Sequence, residues 1–186
     1  VMVSSNGLAT RFLLSAIRPQ GRVSSGVRGL KLKGDSSLVG MIITNDEDTN
    51  VLTLSEQGMG KRTRIGSGES LPMMKEGEPL LDPGGKQKME TDGYRLAKNR
   101  GGSGVKTMNL NEGDSISRVH QIPDLDDQLF LLSRKGTVIR ISASQTKETS
   151  GRASKGTRVI ELRNKEKNGF VDELIYSARM PSDLVE

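Results

Sequence analysis

Ser4-Ser5-Asn6-Gly7-Leu8-Ala9-Thr10-Arg11 opens the chain, and the same pattern, S-x-x-G-x-x-x-R, returns as Ser55-Glu56-Gln57-Gly58-Met59-Gly60-Lys61-Arg62 and as Ser133-Arg134-Lys135-Gly136-Thr137-Val138-Ile139-Arg140. Three copies make self-similarity the first feature to explain, because a repeat decides the architecture before any single element does. Each copy is preceded by a short apolar run: Val1-Met2-Val3, Val51-Leu52-Thr53-Leu54 and Leu129-Phe130-Leu131-Leu132. Each continues into a second strand, as in Val138-Ile139-Arg140-Ile141, so the pattern predicts a hairpin with glycine in its turn. Asn6-Gly7 predicts a type I′ turn, in which both central residues take positive φ.

A glycine-rich motif follows each hairpin: Gly21-Arg22-Val23-Ser24-Ser25-Gly26-Val27, then Arg100-Gly101-Gly102-Ser103-Gly104-Val105, then Gly151-Arg152-Ala153-Ser154-Lys155-Gly156-Thr157. Gly26 to Gly58 and Gly104 to Gly136 are both 32 residues, and Gly7 to Gly26 and Gly136 to Gly156 are 19 and 20, which gives a period of 51 to 52. Only the step from Gly58 to Gly104 breaks it, and the excess of about 27 residues falls between Gly66 and Gly93. That stretch, residues 66–93, carries six acids against three lysines and many turn formers, which predicts an acidic surface loop inserted into the second repeat. Val27–Leu32 and Leu38–Ile43 read as two further strands, so each repeat supplies four. Such a unit cannot bury both faces alone, and the expected architecture is all-β: a β-propeller or β-pinwheel built from three four-stranded blades, about 1–50, 51–128 and 129–186, in one domain over 1–186.

Composition narrows the function. Apolar residues are 33% of the chain and aromatics 3%, with 22 glycines, which fits short strands and tight turns and disfavours a single-strand binder that needs stacking platforms. The net charge of +5 favours a polyanionic partner. With no cysteine, disulfides and Cys-ligated zinc are excluded, and a reducing compartment is expected. No run is long and apolar enough for a membrane helix, and no membrane partner is expected. Val1–Ser5 is too short and uncharged for a signal peptide and reads as a strand of a longer chain.

Arg22–Leu32, Gln57–Thr63 and Arg100–Thr107 resemble the last three blades of the C-terminal domain of the DNA gyrase A protein. The resemblance spans nearly the whole chain outside the insertion. It implies part of a normally six-bladed pinwheel, whose blades exchange strands and around whose basic rim duplex DNA wraps to support ATP-dependent negative supercoiling by the topoisomerase. It also implies two kinds of protein partner in a heterotetramer, the rest of gyrase A and the gyrase B protein. ATP and magnesium are implied as requirements of that holoenzyme, with no cofactor in this stretch. The implied location is the cytoplasm, at the nucleoid, or an organelle of a plastid-bearing source. The family's glutamine-led box is matched only in part by Lys98-Asn99-Arg100-Gly101-Gly102-Ser103-Gly104, which keeps the corresponding domain of topoisomerase IV as an alternative. A protein-interaction propeller similar to the regulator-of-chromosome-condensation family is a further one.

Arg11, Arg62 and Arg140 have two readings that the sequence leaves even: a bidentate phosphate grip, or a strut to the next blade's carbonyls. Arg28, Lys31, Lys33, Lys61, Arg64, Lys98, Arg100, Lys106, Lys135, Lys155 and Arg158 complete the candidate DNA contacts. No catalytic or metal-binding residue is assigned. Gly84-Gly85-Lys86 lacks the remaining residues of a P-loop, His120 has no second ligand, and Tyr94 lacks the flanking sequence of a topoisomerase nucleophile.

Overall fold

The computed structural model of the protein describes residues 1–149, 151–162 and 171–184. Its strands are β1 (Met2–Ser4), β2 (Leu8–Thr10), β3 (Leu38–Met41), β4 (Asn50–Ser55), β5 (Met59–Arg64), β6 (Ser70–Pro72), β7 (Met74–Lys75), β8 (Glu78–Pro79), β9 (Met89–Thr91), β10 (Val105–Lys106), β11 (Ile116–Ile122), β12 (Gln128–Ser133), β13 (Val138–Ser142), β14 (Thr157–Arg158) and β15 (Leu174–Met180). Three antiparallel sheets repeat one plan: β3-β1-β2-β10, β11-β4-β5-β14 and β15-β12-β13. The all-β expectation holds, and helical structure among the described residues is limited to short 3₁₀ turns.

In the first two sheets the S-x-x-G hairpin supplies the two middle strands, and in the third it supplies β12 and β13, with β13 at the edge of the described strands. Gly7, Gly58 and Gly136 donate to the carbonyls of Ser4, Ser55 and Ser133 at 3.1, 3.0 and 3.0 Å, closing the turns. These glycines have φ of 77°, 80° and 82°, whereas the only described non-glycine residue with positive φ is Glu76. The turns are therefore not type I′. A single glycine supplies the left-handed residue that a longer hairpin loop with a bulge requires. The serine closes the loop from inside: Ser55 Oγ accepts from Met59 N at 3.3 Å and Ser133 Oγ from Thr137 N at 3.2 Å, while Ser4 Oγ donates to the Leu8 carbonyl at 3.1 Å.

The outer strand of each of the first two sheets is borrowed. β10 follows the second glycine-rich motif, yet it pairs with β2 of the first hairpin, Val105 opposite Ala9 and Lys106 opposite Leu8. β14 follows the third motif and pairs with β5, Thr157 opposite Gly60 and Arg158 opposite Met59. Sequence repeats and sheets are thus offset, the second and third repeats each lending a strand to the sheet before it. Val27–Leu32, expected as a strand, is not one: its counterparts pair with a preceding hairpin, and among the described residues no such hairpin lies beside Val27.

Two cores hold the sheets together. Val3, Ala9, Ile42, Val51, Ile65, Tyr94, Met108 and Ile116 pack as one cluster, and Leu52, Leu54, Ile122, Leu129, Leu131, Ala143, Ile160 and Leu174 as the other. β4 feeds both, because alternate residues of a strand point to opposite faces: Val51 enters the first core, Leu52 and Leu54 the second. The second sheet is covered on both sides, and all six residues of β4 are buried.

The insertion, expected as an acidic surface loop, carries short strands of its own. It forms a small β-arm in which β6 pairs with β9 and β7 with β8. Gln87 staples it by donating from Nε2 to the Met73 carbonyl at 2.9 Å. Its base is closed by Gly66 and Gly93 (φ 66° and 62°), and a Cβ on Gly93 would lie 2.0 Å from the Ile65 carbonyl oxygen. Glycine is required there by both conformation and space.

Candidate nucleic-acid interface

Aligned on their last glycine, the three glycine-rich motifs place equivalent residues at 26, 104 and 156. Two residues on stands a cation each time: Arg28, Lys106 and Arg158. Four residues before stands an arginine each time: Arg22, Arg100 and Arg152. Lys106 and Arg158 lie on the borrowed edge strands β10 and β14, and Arg28, Lys106 and Arg158 are all exposed. Two residues beyond each of them stands an apolar side chain, Leu30, Met108 or Ile160, that is buried. Each motif is thus anchored by its apolar residue and presents its cation outward. Arg28, Lys106 and Arg158 are therefore a periodic feature of the repeat, and Arg22 and Arg152 join the candidates.

The loops also touch in a repeating way. Lys31 N donates to the Gly102 carbonyl at 2.9 Å, and Asn109 N donates to the Ser154 carbonyl at 3.0 Å. Both bonds join the same two positions of the repeat, so each glycine-rich loop hangs on the next by one equivalent hydrogen bond. Around the first junction Arg100 ties the loops further, donating from Nε to Ala16 O at 2.9 Å and from Nη1 to Arg28 O at 3.4 Å. At the second, Lys155 Nζ donates to Asn111 Oδ1 at 3.0 Å. The result is a continuous ridge of loops on which Arg22, Arg28, Lys31, Lys106, Lys155 and Arg158 stand exposed. Lys33 and Lys98 are also exposed beside it. Arg158 is partly engaged by Glu161 at 3.1 Å, an exposed pair that is easily exchanged for another anion.

Of the other candidates, Arg11, Arg62 and Lys61 are corrected. Arg11 spans to the second sheet, donating from Nη1 to the carbonyls of Gly66 (2.6 Å) and Tyr94 (3.1 Å) and pairing with Glu47 at 2.9 Å. Arg62, 5% exposed, donates from Nε to Thr146 O and Oγ1, both at 3.0 Å, and pairs with Glu148 at 3.3 Å. Both are struts between repeats, with their donors used on protein oxygens. Arg140, at the equivalent position, is exposed, donates to Gln128 Oε1 at 3.2 Å and lies 5.8 Å from the Phe130 ring centre. Lys61 is fully buried, and its ammonium is surrounded by oxygens of Thr149, Gly151, Arg152 and Ser154. Arg64 is exposed but drawn to Asp48 and Asp92 (3.4 and 3.5 Å) at the base of the arm. Lys135 is half-buried in the third hairpin turn, where its backbone N–H donates to Asp172 Oδ1 at 3.0 Å.

Tyr94 is fully buried with its hydroxyl 2.5 Å from Thr107 Oγ1, and burial pushes its pKa up to about 12. A phenol so placed is neither reachable nor ionised near neutral pH. His120 lies on β11 with Nε2 2.6 Å from Ser177 Oγ, and burial, with Arg179 and Arg118 nearby, pulls its pKa down to about 4.

The sequence family described as DNA gyrase C-terminal domain, beta-propeller, matches residues 1–45, 49–67, 88–123 and 127–168. The chain belongs to this family. The match stops at 67 and resumes at 88, so the omitted stretch falls within the arm. The DNA gyrase A protein of Mycobacterium leprae is 31% identical over 183 residues, which are 96% of this chain and 12% of the relative. That of Campylobacter jejuni is 30% identical over 184 residues, 97% of this chain and 17% of the relative. The chain therefore spans a small part of these curated relatives. Among solved structures, the C-terminal domain of DNA topoisomerase IV superposes with a TM-score of 0.72 at 19% identity, covering 98% of this chain and 46% of that one. The DNA gyrase A C-terminal domain gives 0.68 at 22%, covering 97% and 50%. At these identities the structural likeness speaks for the fold, and family membership rests on the sequence match.

Proposed function

We propose that this chain is a non-catalytic duplex-DNA-binding and wrapping module of a DNA gyrase A protein. The single observation that carries the reading is the loop ridge: three equivalent cations, Arg28, Lys106 and Arg158, on loops joined by the equivalent bonds Lys31 N to Gly102 O and Asn109 N to Ser154 O. A duplex has evenly spaced phosphates and no requirement for particular bases, so cations repeated at one position per repeat suit it better than they suit a folded protein partner. Bending a duplex over such a ridge costs of the order of 1–6 kcal/mol, which contacts from a single loop do not offset and contacts from several loops in line do. Charge agrees with this: residues 66–93 hold six acids and three lysines, so the rest of the chain carries +8.

On this reading the remainder of gyrase A, together with gyrase B, holds the cleavage and the ATP- and magnesium-dependent chemistry in a cytoplasmic holoenzyme, and this module supplies the path of the wrapped segment. The test is duplex affinity across a salt series for the variant Arg28→Ala, Lys106→Ala, Arg158→Ala. Each phosphate left without its cation should remove about 0.9 from the slope of log K against log salt, about 2.7 for the three. A folded triple variant with wild-type affinity and slope would remove this ridge as the DNA path.

A further inference from the structure

Lys61 is a cation of the second hairpin that lies beneath the ridge and not on it. It stands on β5 immediately before the strut Arg62, at the position occupied by Thr10 in the first repeat and Ile139 in the third. Its side chain is fully buried, and its Nζ meets four oxygens: Gly151 O at 3.2 Å, Ser154 Oγ at 3.3 Å, Thr149 Oγ1 at 3.4 Å, and Arg152 O in closer contact. Two of these are backbone carbonyls of the loop that carries Arg152, Lys155 and Arg158. A buried ammonium is tolerated only where its protons are matched, and here the matching oxygens come from that loop and the residue leading into it. Turning the carbonyls of Gly151 and Arg152 inward fixes the loop's orientation, and Ser154 O is thereby held where Asn109 N reaches it.

We propose that Lys61 is a positioning residue for DNA binding: its ammonium fixes the third glycine-rich loop in the ridge, and losing the proton releases that loop. The inference rests on the DNA-binding reading above. Each hydrogen bond from a charged donor is worth more than one from a neutral amine, and a neutral amine has one proton fewer for the same oxygens. Burial, with Arg152 nearby, brings the Lys61 pKa down to about 8, so the proton leaves within a range where exposed lysines keep theirs. The charged and titratable groups around it leave that titration to Lys61. Arg152 belongs to the held loop, Arg158 lies on β14 opposite Met59, Arg62 pairs with Glu148, and Tyr94, across the first core, keeps its proton to about 12.

The experiment has two readouts on the wild-type chain and on Lys61→Met, which keeps the length of the side chain without charge. Without DNA, hydrogen exchange of the amides of residues 151–154, corrected for the intrinsic pH dependence, is compared at pH 7 and pH 9. With duplex DNA, the salt slope of binding is compared at the same two pH values. The wild-type loop should lose protection at pH 9, while residues 98–104 keep theirs, and the salt slope should flatten by about 0.9 for each phosphate that the released loop no longer neutralises. Lys61→Met should show the high-pH behaviour at both pH values. Loop protection and salt slope that do not change with pH in the wild type would overturn the proposal, and that comparison needs no variant to fold. If the wild type bound no duplex at either pH, the DNA reading would fall, whereas the exchange data would still decide whether Lys61 holds the loop.

Discussion

Serine, glycine and arginine in S-x-x-G-x-x-x-R each have a separate physical task. The serine hydroxyl closes the hairpin from within, the glycine takes the left-handed turn position, and Arg11 and Arg62 cross to the following repeat. Serine and glycine were legible in the sequence, because their tasks are local and any hairpin of that length sets them. The arginines were not. A guanidinium binds phosphate and carbonyl oxygens with the same donors, and the choice depends on what the neighbouring repeat places in front of it. Thr146 and Glu148 stand in front of Arg62, more than 80 residues away in the chain. Lys61 was read as a phosphate contact for the same reason, since only the folded third loop shows that its charge is enclosed. Arg62→Ala should therefore act on stability and not on DNA. It leaves Thr146 O without its charged donor in a buried site, and denaturant unfolding should show a loss of about 3 kcal/mol. Duplex affinity measured on the folded fraction should stay at the wild-type value; a fall in affinity without a fall in stability would restore the phosphate role.

At the scale of elements, the period located the insertion but could not describe it. Residues 66–93 lack the alternating pattern of a half-buried strand because their strands are only two or three residues long and mostly exposed, so no face had to be apolar. The same shortness hid β10 and β14: a two-residue strand has no periodicity, and its partner is set by a hairpin about 100 residues distant. The arm's base is another matter. Gly66 N donates to Glu47 O at 2.9 Å, which joins the arm to the segment leading into the second hairpin, while Gly68 N to Asp92 O and Ser67 N to Asp92 Oδ2, both at 2.8 Å, clasp the two legs of the arm together. Hydrogen bonds to the Asp92 carboxylate, led by the Ser67 backbone N–H, hold its pKa below the ordinary value, which keeps this clasp charged near neutral pH. Replacing residues 70–91 by a short glycine-containing turn, with Gly66–Glu69 and Asp92–Gly93 retained, should leave the sheets intact. Thermal unfolding should shift by only a few degrees, since about 1 kcal/mol corresponds to a few degrees in a chain of this size. A collapse of the transition would mean that the arm is part of the blade.

Across the whole molecule, each repeat is fastened to the next by four kinds of equivalent contact. At the start of β11 and β15, Ile116 N donates to Ser5 O at 2.7 Å and Leu174 N to Glu56 O at 2.8 Å. The others are the struts Arg11 and Arg62, the lent strands β10 and β14, and the loop bonds of the ridge. Repeat arrays with contacts only at flat faces unfold in steps when one interface is much weaker than the rest. Here a repeat cannot leave without withdrawing a strand from its neighbour's sheet, so loss of one repeat opens an edge in the next. This coupling makes a specific expectation for a substitution in the third repeat. Leu129 is fully buried in the second core, and Leu129→Ala should cost about 3 kcal/mol by cavity formation. If strand exchange did not couple the repeats, that loss would be confined to the second and third sheets, which share this core, and amides of β1 and β2 would keep their protection. With strands exchanged, the loss should reach the first sheet too: hydrogen exchange of β2 and β5 should accelerate along with that of β12, and circular dichroism should show one transition at a lowered midpoint. Two separated transitions in the variant, the later one retaining β1, β2 and β10, would show that strand exchange does not couple the repeats.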